Sequence, residues 1–120
     1  MSYEGYRDMR VWQSAMELCV EVYRLAKLLP DDERYGLTSQ IRRCAASIPS
    51  NIAEGRGRAH PGDYRKHLSY ARGSLAELET QLEIAVRTQL LPKPEITQAW
   101  NLAQSTGKML STLLNQTKNK

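Results

Sequence analysis

The stretch Tyr64-Arg65-Lys66-His67-Leu68-Ser69-Tyr70-Ala71-Arg72-Gly73-Ser74-Leu75-Ala76-Glu77-Leu78-Glu79-Thr80-Gln81-Leu82-Glu83-Ile84-Ala85 decides the fold. Tyr64, Leu68, Ala71, Leu75, Leu78, Leu82 and Ala85 recur at steps of four and three without a slip. That spacing keeps them on one edge of a helix. Sustained over three heptads, it predicts a long helix lying at a shallow angle against others. Pro61 is a favoured first-turn residue, and Leu90-Leu91-Pro92-Lys93-Pro94 reads as a connector. The expected helix covers 61–89.

Outward from it, the same spacing appears three more times. Leu37, Ile41, Cys44/Ala45, Ile48 and Ile52 form a stripe within an expected helix over 32–55. Asp31-Asp32-Glu33 puts carboxylates at its positive end, and Gly55-Arg56-Gly57-Arg58 offers glycines for a left-handed cap. Pro49 lies inside this helix. It removes one backbone hydrogen bond, at a cost of about 3 kcal/mol in isolation, and predicts a kink, since Ile52 and Ala53 continue the stripe. A break there would leave a three-helix alternative.

The first helix, expected over 9–29, follows Asp8. It carries Val11/Trp12, Ala15, Cys19, Val22, Ala26 and Leu29, and Pro30 ends it. The fourth, over 94–115, starts at Pro94 and carries Ile96, Trp100, Ala103, Gly107, Leu110 and Leu114. Gln116 to Lys120 lack an apolar anchor and are expected to fray. No segment alternates as a strand does. The expectation is therefore an all-α, antiparallel up-down-up-down four-helix bundle in one domain over 1–120.

The 120-residue chain, 41% hydrophobic, carries enough apolar content for one modest core, which argues against disorder. Without Phe, that core draws on Leu, Ile, Val, Ala, Met and two Trp. No run approaches the ~20 apolar residues of a membrane span, and Met1 to Tyr6 lack the features of a secretory signal. The cytoplasm is the expected location. Cys19 and Cys44 fall on apolar faces and read as buried thiols.

Catalytic constellations are missing. His60 and His67 have no nearby Cys to complete a zinc set and read as solvated. Glu77, Glu79 and Glu83 lack the Glu-x-x-His pattern of a di-iron bundle, and Glu83 pairs instead with Arg87 one turn on. Gly55-x-Gly57 follows a helix rather than a strand, unlike a phosphate loop. The chain is expected to be no enzyme and to hold no metal or cofactor.

Net charge is +4, distributed unevenly. Residues 34–72 hold eight basic and two acidic residues, for +6; the remainder holds nine and eleven, for −2. Guanidinium groups match phosphate oxygens well, and clustered Lys and Arg mark nucleic-acid binding. Arg42, Arg43, Arg56, Arg58, Arg65 and Lys66 are the expected contacts with RNA or DNA. Arg42 and Arg43 are read as sharing one side of the second helix. The bland counterpart is that each cation solvates the surface or pairs with a neighbouring carboxylate. A second signal is apolar excess on the first helix: Met9, Met16, Leu18, Val20, Tyr23, Leu25 and Leu28 lie off its main stripe. A helix apolar nearly all round is buried on more than one side, which implies another subunit.

Three stretches carry a family resemblance: Asp8-Met9-Arg10-Val11-Trp12-Gln13; Tyr35-Gly36-Leu37-Thr38-Ser39-Gln40-Ile41-Arg42-Arg43-Cys44-Ala45-Ala46-Ser47-Ile48-Pro49-Ser50-Asn51-Ile52-Ala53-Glu54-Gly55; and Ala71-Arg72-Gly73-Ser74-Leu75-Ala76-Glu77-Leu78-Glu79. Together they resemble the bacterial four-helix-bundle proteins encoded in intervening sequences of large-subunit ribosomal RNA genes. That group also includes the accessory variability proteins of diversity-generating retroelements. The resemblance implies an up-down bundle, a basic ring-shaped homopentamer, and interaction with nucleic acid or with a nucleic-acid enzyme such as a reverse transcriptase. It implies no catalysis. Cys44 departs from the small residue relatives usually carry. Within the motif, Gly36 would admit the Tyr35 ring or relieve the helix start, Asn51 would satisfy a group freed by Pro49, and Glu54 would reach Arg58 or Arg72.

Overall fold

A computed structural model describes residues 5–118. Four helices account for most of them: α1 (Arg10–Ala26), α2 (Leu37–Gly57), α3 (Pro61–Arg87) and α4 (Thr97–Thr117). No strand occurs among the described residues. α1 packs on α2, α2 on α3, α3 on α4, and α4 closes back on α1, with α2 against α3 the most extensive pairing. Short connections make neighbours antiparallel, and the body measures 44 × 22 × 20 Å. The expected up-down-up-down bundle is the observed one. Its centre is Leu18, Val22 and Leu25 from α1, Ile41, Ile48 and Ile52 from α2, Leu68, Leu78 and Leu82 from α3, and Leu110 from α4, all fully buried.

Helix ends differ from the spacing-based limits, each for a local reason. After α1, Leu28 N–H and Leu29 N–H turn back onto the carbonyls of Leu25 and Ala26, so the helix tightens before Pro30. α2 starts at Leu37 because Asp31–Glu33 form a separate 3-10 turn. From that turn Glu33 reaches forward, and its Oε1 accepts the Leu37 N–H at 3.1 Å. One of the three carboxylates thus meets the helix dipole as a side-chain cap. A Cβ on Gly36 would sit 3.1 Å from the same oxygen. Gly36 makes room for that cap and not for Tyr35, whose side chain is 88% exposed. α4 begins at Thr97, because Lys93–Ile96 form a 3-10 turn around Pro94. It continues through Gln116 and Thr117, the latter buried, so these two residues do not fray as expected; Asn119 and Lys120 lie outside the described residues.

Pro49 leaves α2 unbroken, which removes the three-helix alternative. The acceptor it frees is the Ala45 carbonyl. Asn51 does not serve it, since its Nδ2 donates to the Ser47 carbonyl at 2.9 Å. The glycines that follow do not form a left-handed cap either. Among the described residues no glycine has positive φ, and α2 runs through Gly57 to an extended Arg58 at φ −81° and ψ 143°. Gly55 is buried where α2 meets α3, and a Cβ there would lie 2.7 Å from His67 Cβ. Its missing side chain lets the two helices touch.

The left-handed cap belongs instead to α3. Gln89 has φ 65°. Leu90 N–H bonds Ala85 C=O at 2.9 Å and Gln89 N–H bonds Val86 C=O at 3.0 Å, the paired bonds of a Schellman ending. Two polar devices tie distant segments. Thr106 Oγ1, fully buried, donates to Leu102 C=O at 2.7 Å and accepts from Ser14 Oγ at 2.7 Å, joining α4 to α1. Arg24 grips the buried Glu21 through Nε and Nη2 at 3.0 and 2.6 Å and reaches Glu95 at 2.9 Å, fastening α1 to the α3–α4 connection.

Candidate nucleic-acid interface

Antiparallel packing brings the start of α1, the end of α2, the start of α3 and the end of α4 to one end of the bundle. Residues 5–16, 48–73 and 108–118 make up that half, with nine basic and three acidic residues, for +6. The other half, 17–47 and 74–107, has seven basic and nine acidic, for −2. The molecule is electrically polarised along its long axis. Its basic end includes Arg7, Arg10, Lys108 and Lys118, which the sequence window 34–72 omits. Only the fold brings them there.

The six expected contacts divide. Arg56, Arg58, Arg65 and Lys66 share the basic end, whereas Arg42 and Arg43 belong to the opposite half. Nor do Arg42 and Arg43 share a side of α2. Arg42 lies over the Tyr23 ring of α1 at 5.6 Å, its Nε buried without a partner. Arg43 turns the other way, donates to Ser39 Oγ at 3.0 Å and lines a groove with Glu77 of α3.

Within the basic end the groups differ in what already occupies them. Arg58 Nη2 pairs with Glu54 at 2.6 Å. That hydrogen bond, helped by His67, holds the Glu54 carboxyl below the usual carboxylate range. Glu54 therefore serves Arg58 and not Arg72. Arg56 lies over Tyr64 at 6.0 Å, with the half-buried ring facing inward as its heptad position predicts. Arg65 Nη1 donates to the carbonyls of Thr117 and Lys118 at 3.1 and 3.2 Å, capping the C-terminus of α4. A cation there also meets the negative end of the helix dipole. Lys66, Arg72 and Lys118 are exposed, and their side chains make no hydrogen bond or ion pair with another described residue.

Neither histidine is simply solvated. His60 Nδ1 accepts the Gly62 N–H at 3.0 Å and caps α3. His67, 13% exposed at the side chain, meets Asn51 Oδ1 at 3.1 Å and lies 4.0 Å from Glu54. No group of three or more His, Cys, Asp and Glu positioned for a metal occurs among the described residues. Cys19 and Cys44 are free thiols. Cys44 Sγ donates to Ser74 C=O at 3.0 Å, and burial, with Glu77 nearby, pushes its pKa up to about 12. Such a thiol is not a nucleophile at neutral pH. Glu83 meets Arg87 at 2.9 Å, as their spacing predicts.

The apolar excess of α1 is smaller than its sequence suggests. Leu18 and Leu25 are sealed inside the bundle, while Met16, Val20, Tyr23 and Leu28 face outward. Met16 and Val20 line a shallow α1–α4 groove of about 890 Å³ with Pro94 and Leu102, edged by Glu17 and Glu21. No helix among the described residues is long and apolar enough to cross a membrane.

Comparison with known proteins places the chain beside a family and a solved structure. The family model for 23S rRNA-intervening sequence proteins matches residues 7–112. A solved structure from Bacteroides thetaiotaomicron, a protein with unknown function from the S23 ribosomal protein family, superposes with a TM-score of 0.80 at 25% identity. The match covers 87% of this chain and 97% of that one. No curated protein matches. Neither match bears on the accessory variability proteins of diversity-generating retroelements.

Proposed function

Because the chain belongs to the 23S rRNA-intervening sequence protein family, we propose that it is a non-enzymatic, oligomeric bundle that binds nucleic acid through its basic end. The axial charge polarisation carries this reading: nine basic residues against three acidic ones gather where four helix ends meet. A polyanion approaching such a body is drawn to one end, and counterions released from its phosphates supply the affinity. Arg56, Lys66, Arg72 and Lys118 are the principal contacts. Arg58 and Arg65 contribute charge while holding Glu54 and α4. The family name makes ribosomal RNA the first ligand to try, and reduced thiols accord with a cytoplasmic setting.

Fluorescence anisotropy of a structured RNA across a salt series tests the proposal. Wild-type affinity should fall linearly in log–log form with salt. Reversal of Arg56 and Lys66 to Glu should abolish binding, and the matched reversal of Arg42 and Arg43 should weaken it far less. Salt-independent binding, or equal losses from both pairs, refutes the reading. Co-purification with a polymerase in the absence of RNA affinity would replace it with a scaffold role.

Assembly uses the α1–α4 groove. Met16, Val20 and Leu102 give it an apolar floor of the kind that subunit contacts cover. A closed ring, five-fold by resemblance to the family, repeats the basic end once per subunit and multiplies weak phosphate contacts. Val20→Asp should release monomers in light scattering.

A further inference from the structure

We propose that the groove between the start of α3 and the end of α4 is a phosphate-binding cleft, built by Arg65, Lys66, Arg72 and Lys118 with Ser69 and Asn115. The inference rests on the nucleic-acid reading and narrows it from a charged end to one place. The groove encloses about 430 Å³, and every charged residue lining it is a cation. Three other cations at this end have company: Arg58 has Glu54, Arg56 lies on Tyr64, and Arg7 lies within 6 Å of the Tyr6 and Trp12 rings.

Arg65 gives the cleft its rigidity. Its Nη1 is fixed by the two α4 carbonyls, which leaves Nε and Nη2 of a planar five-donor fork to offer further hydrogen bonds. A guanidinium anchored on one side presents the other without loss of side-chain freedom on binding. Arg72, seven residues on, lies on the same side of α3 as Arg65, Lys66 flanks the groove one residue beyond Arg65, and Lys118 completes the far wall. Ser69 and Asn115 add neutral donors suited to the remaining phosphate oxygens. The ligand chemistry is a phosphoryl group, either a backbone phosphodiester or a terminal phosphate.

The test compares Lys66→Gln/Arg72→Gln with Arg10→Gln/Lys108→Gln, which removes equal charge from exposed positions of the same end outside the cleft. Binding is read by anisotropy with 5′-phosphorylated and 5′-hydroxyl forms of one oligoribonucleotide. Amide chemical shifts during titration with inorganic pyrophosphate provide a second readout. Two lost contacts should weaken oligonucleotide binding about 25- to 60-fold at 0.1 M salt, taking roughly 0.7 to 0.9 powers of salt per contact. The control pair should lose only a few-fold. Pyrophosphate should shift the amides of residues 62–72 in wild type and not in the cleft variant. A preference for the 5′-phosphorylated form supports a terminal phosphate in the cleft, and equal binding supports a backbone one. Equal losses from both variants overturn the cleft while leaving the charged end as the binding surface. Pyrophosphate shifts without oligonucleotide affinity uphold the cleft and overturn the nucleic-acid reading. Absence of pyrophosphate shifts overturns the cleft.

Discussion

Replacing Gly55 with Ala should destabilise the protein, although alanine is the better helix former. Alanine gains about 1 kcal/mol over glycine in a helix interior from backbone entropy alone. At position 55 the added Cβ would stand 2.7 Å from His67 Cβ and 3.3 Å from the Tyr64 carbonyl oxygen. Carbon atoms pack without strain at about 3.5–4.0 Å, so α2 and α3 must part by roughly 1 Å at their closest point. His67 cannot rotate clear, because Cβ is fixed by the backbone. Overpacking of this kind costs about 1–3 kcal/mol, and the net loss should be about 1 kcal/mol. Gly73 provides the internal standard. It sits within α3 with nothing inside 4 Å of its added Cβ, so Gly73→Ala should gain nearly the full propensity of about 1 kcal/mol. Urea denaturation followed by circular dichroism, at one fixed concentration because assembly shifts apparent stability, should move the two midpoints in opposite directions. A Gly55→Ala protein as stable as Gly73→Ala would refute the close approach.

Three further outcomes follow from other residues. Gln89→Gly should stabilise by about 1 kcal/mol in the same denaturation series, because a left-handed conformation costs an L-residue roughly that amount and glycine little. Glu33→Ala should cost about 1 kcal/mol by stripping the Leu37 N–H of its acceptor, with faster amide exchange confined to the first turn of α2. Cys44 sets a pH signature. Its folded pKa, raised to about 12 from 9.0, means the unfolded chain releases the thiol proton first, so stability falls as pH climbs from about 9 towards 12. Cys44→Ala should flatten that alkaline decline relative to wild type, and a native Cys44 should resist alkylation at pH 8.

The spacing of α3 made the fold legible, since seven residues at steps of four and three fix an edge that only a helix provides. The caps were less visible. Three acidic residues before α2 announced a helix start, but a carboxylate that reaches four residues ahead places that start later than its own position. Glycine after α2 suggested a left-handed ending, whereas the structure uses Gly55 for contact with α3, and a glutamine takes the left-handed role. Close approach depends on what lies opposite, which sequence spacing along one helix does not encode. The interface was half legible. Arg56, Arg58, Arg65 and Lys66 are neighbours both in the chain and in space. Arg42 and Arg43 are neighbours of that group only in the chain, because the stretch of α2 between them and Arg56 carries them about 20 Å away along the bundle. Lys118 and Arg7 were invisible for the converse reason. A periodic signal could have found them, since antiparallel helices of similar length bring the first, middle and last parts of the chain to one end.

The hydrogen bond from Ser14 to Thr106 has a consequence for how the chain is made. It spans ninety-two positions, so the seam between the first and last helices is zipped only after synthesis is nearly complete. The α2–α3 hairpin, local in sequence and broadest in contact, can collapse while α4 is still inside the ribosome. Until then α1 keeps one greasy flank uncovered. A hydroxyl pair at that late-closing seam favours one longitudinal alignment, because sliding α4 by a turn would strand Thr106 among aliphatic side chains without the Ser14 proton.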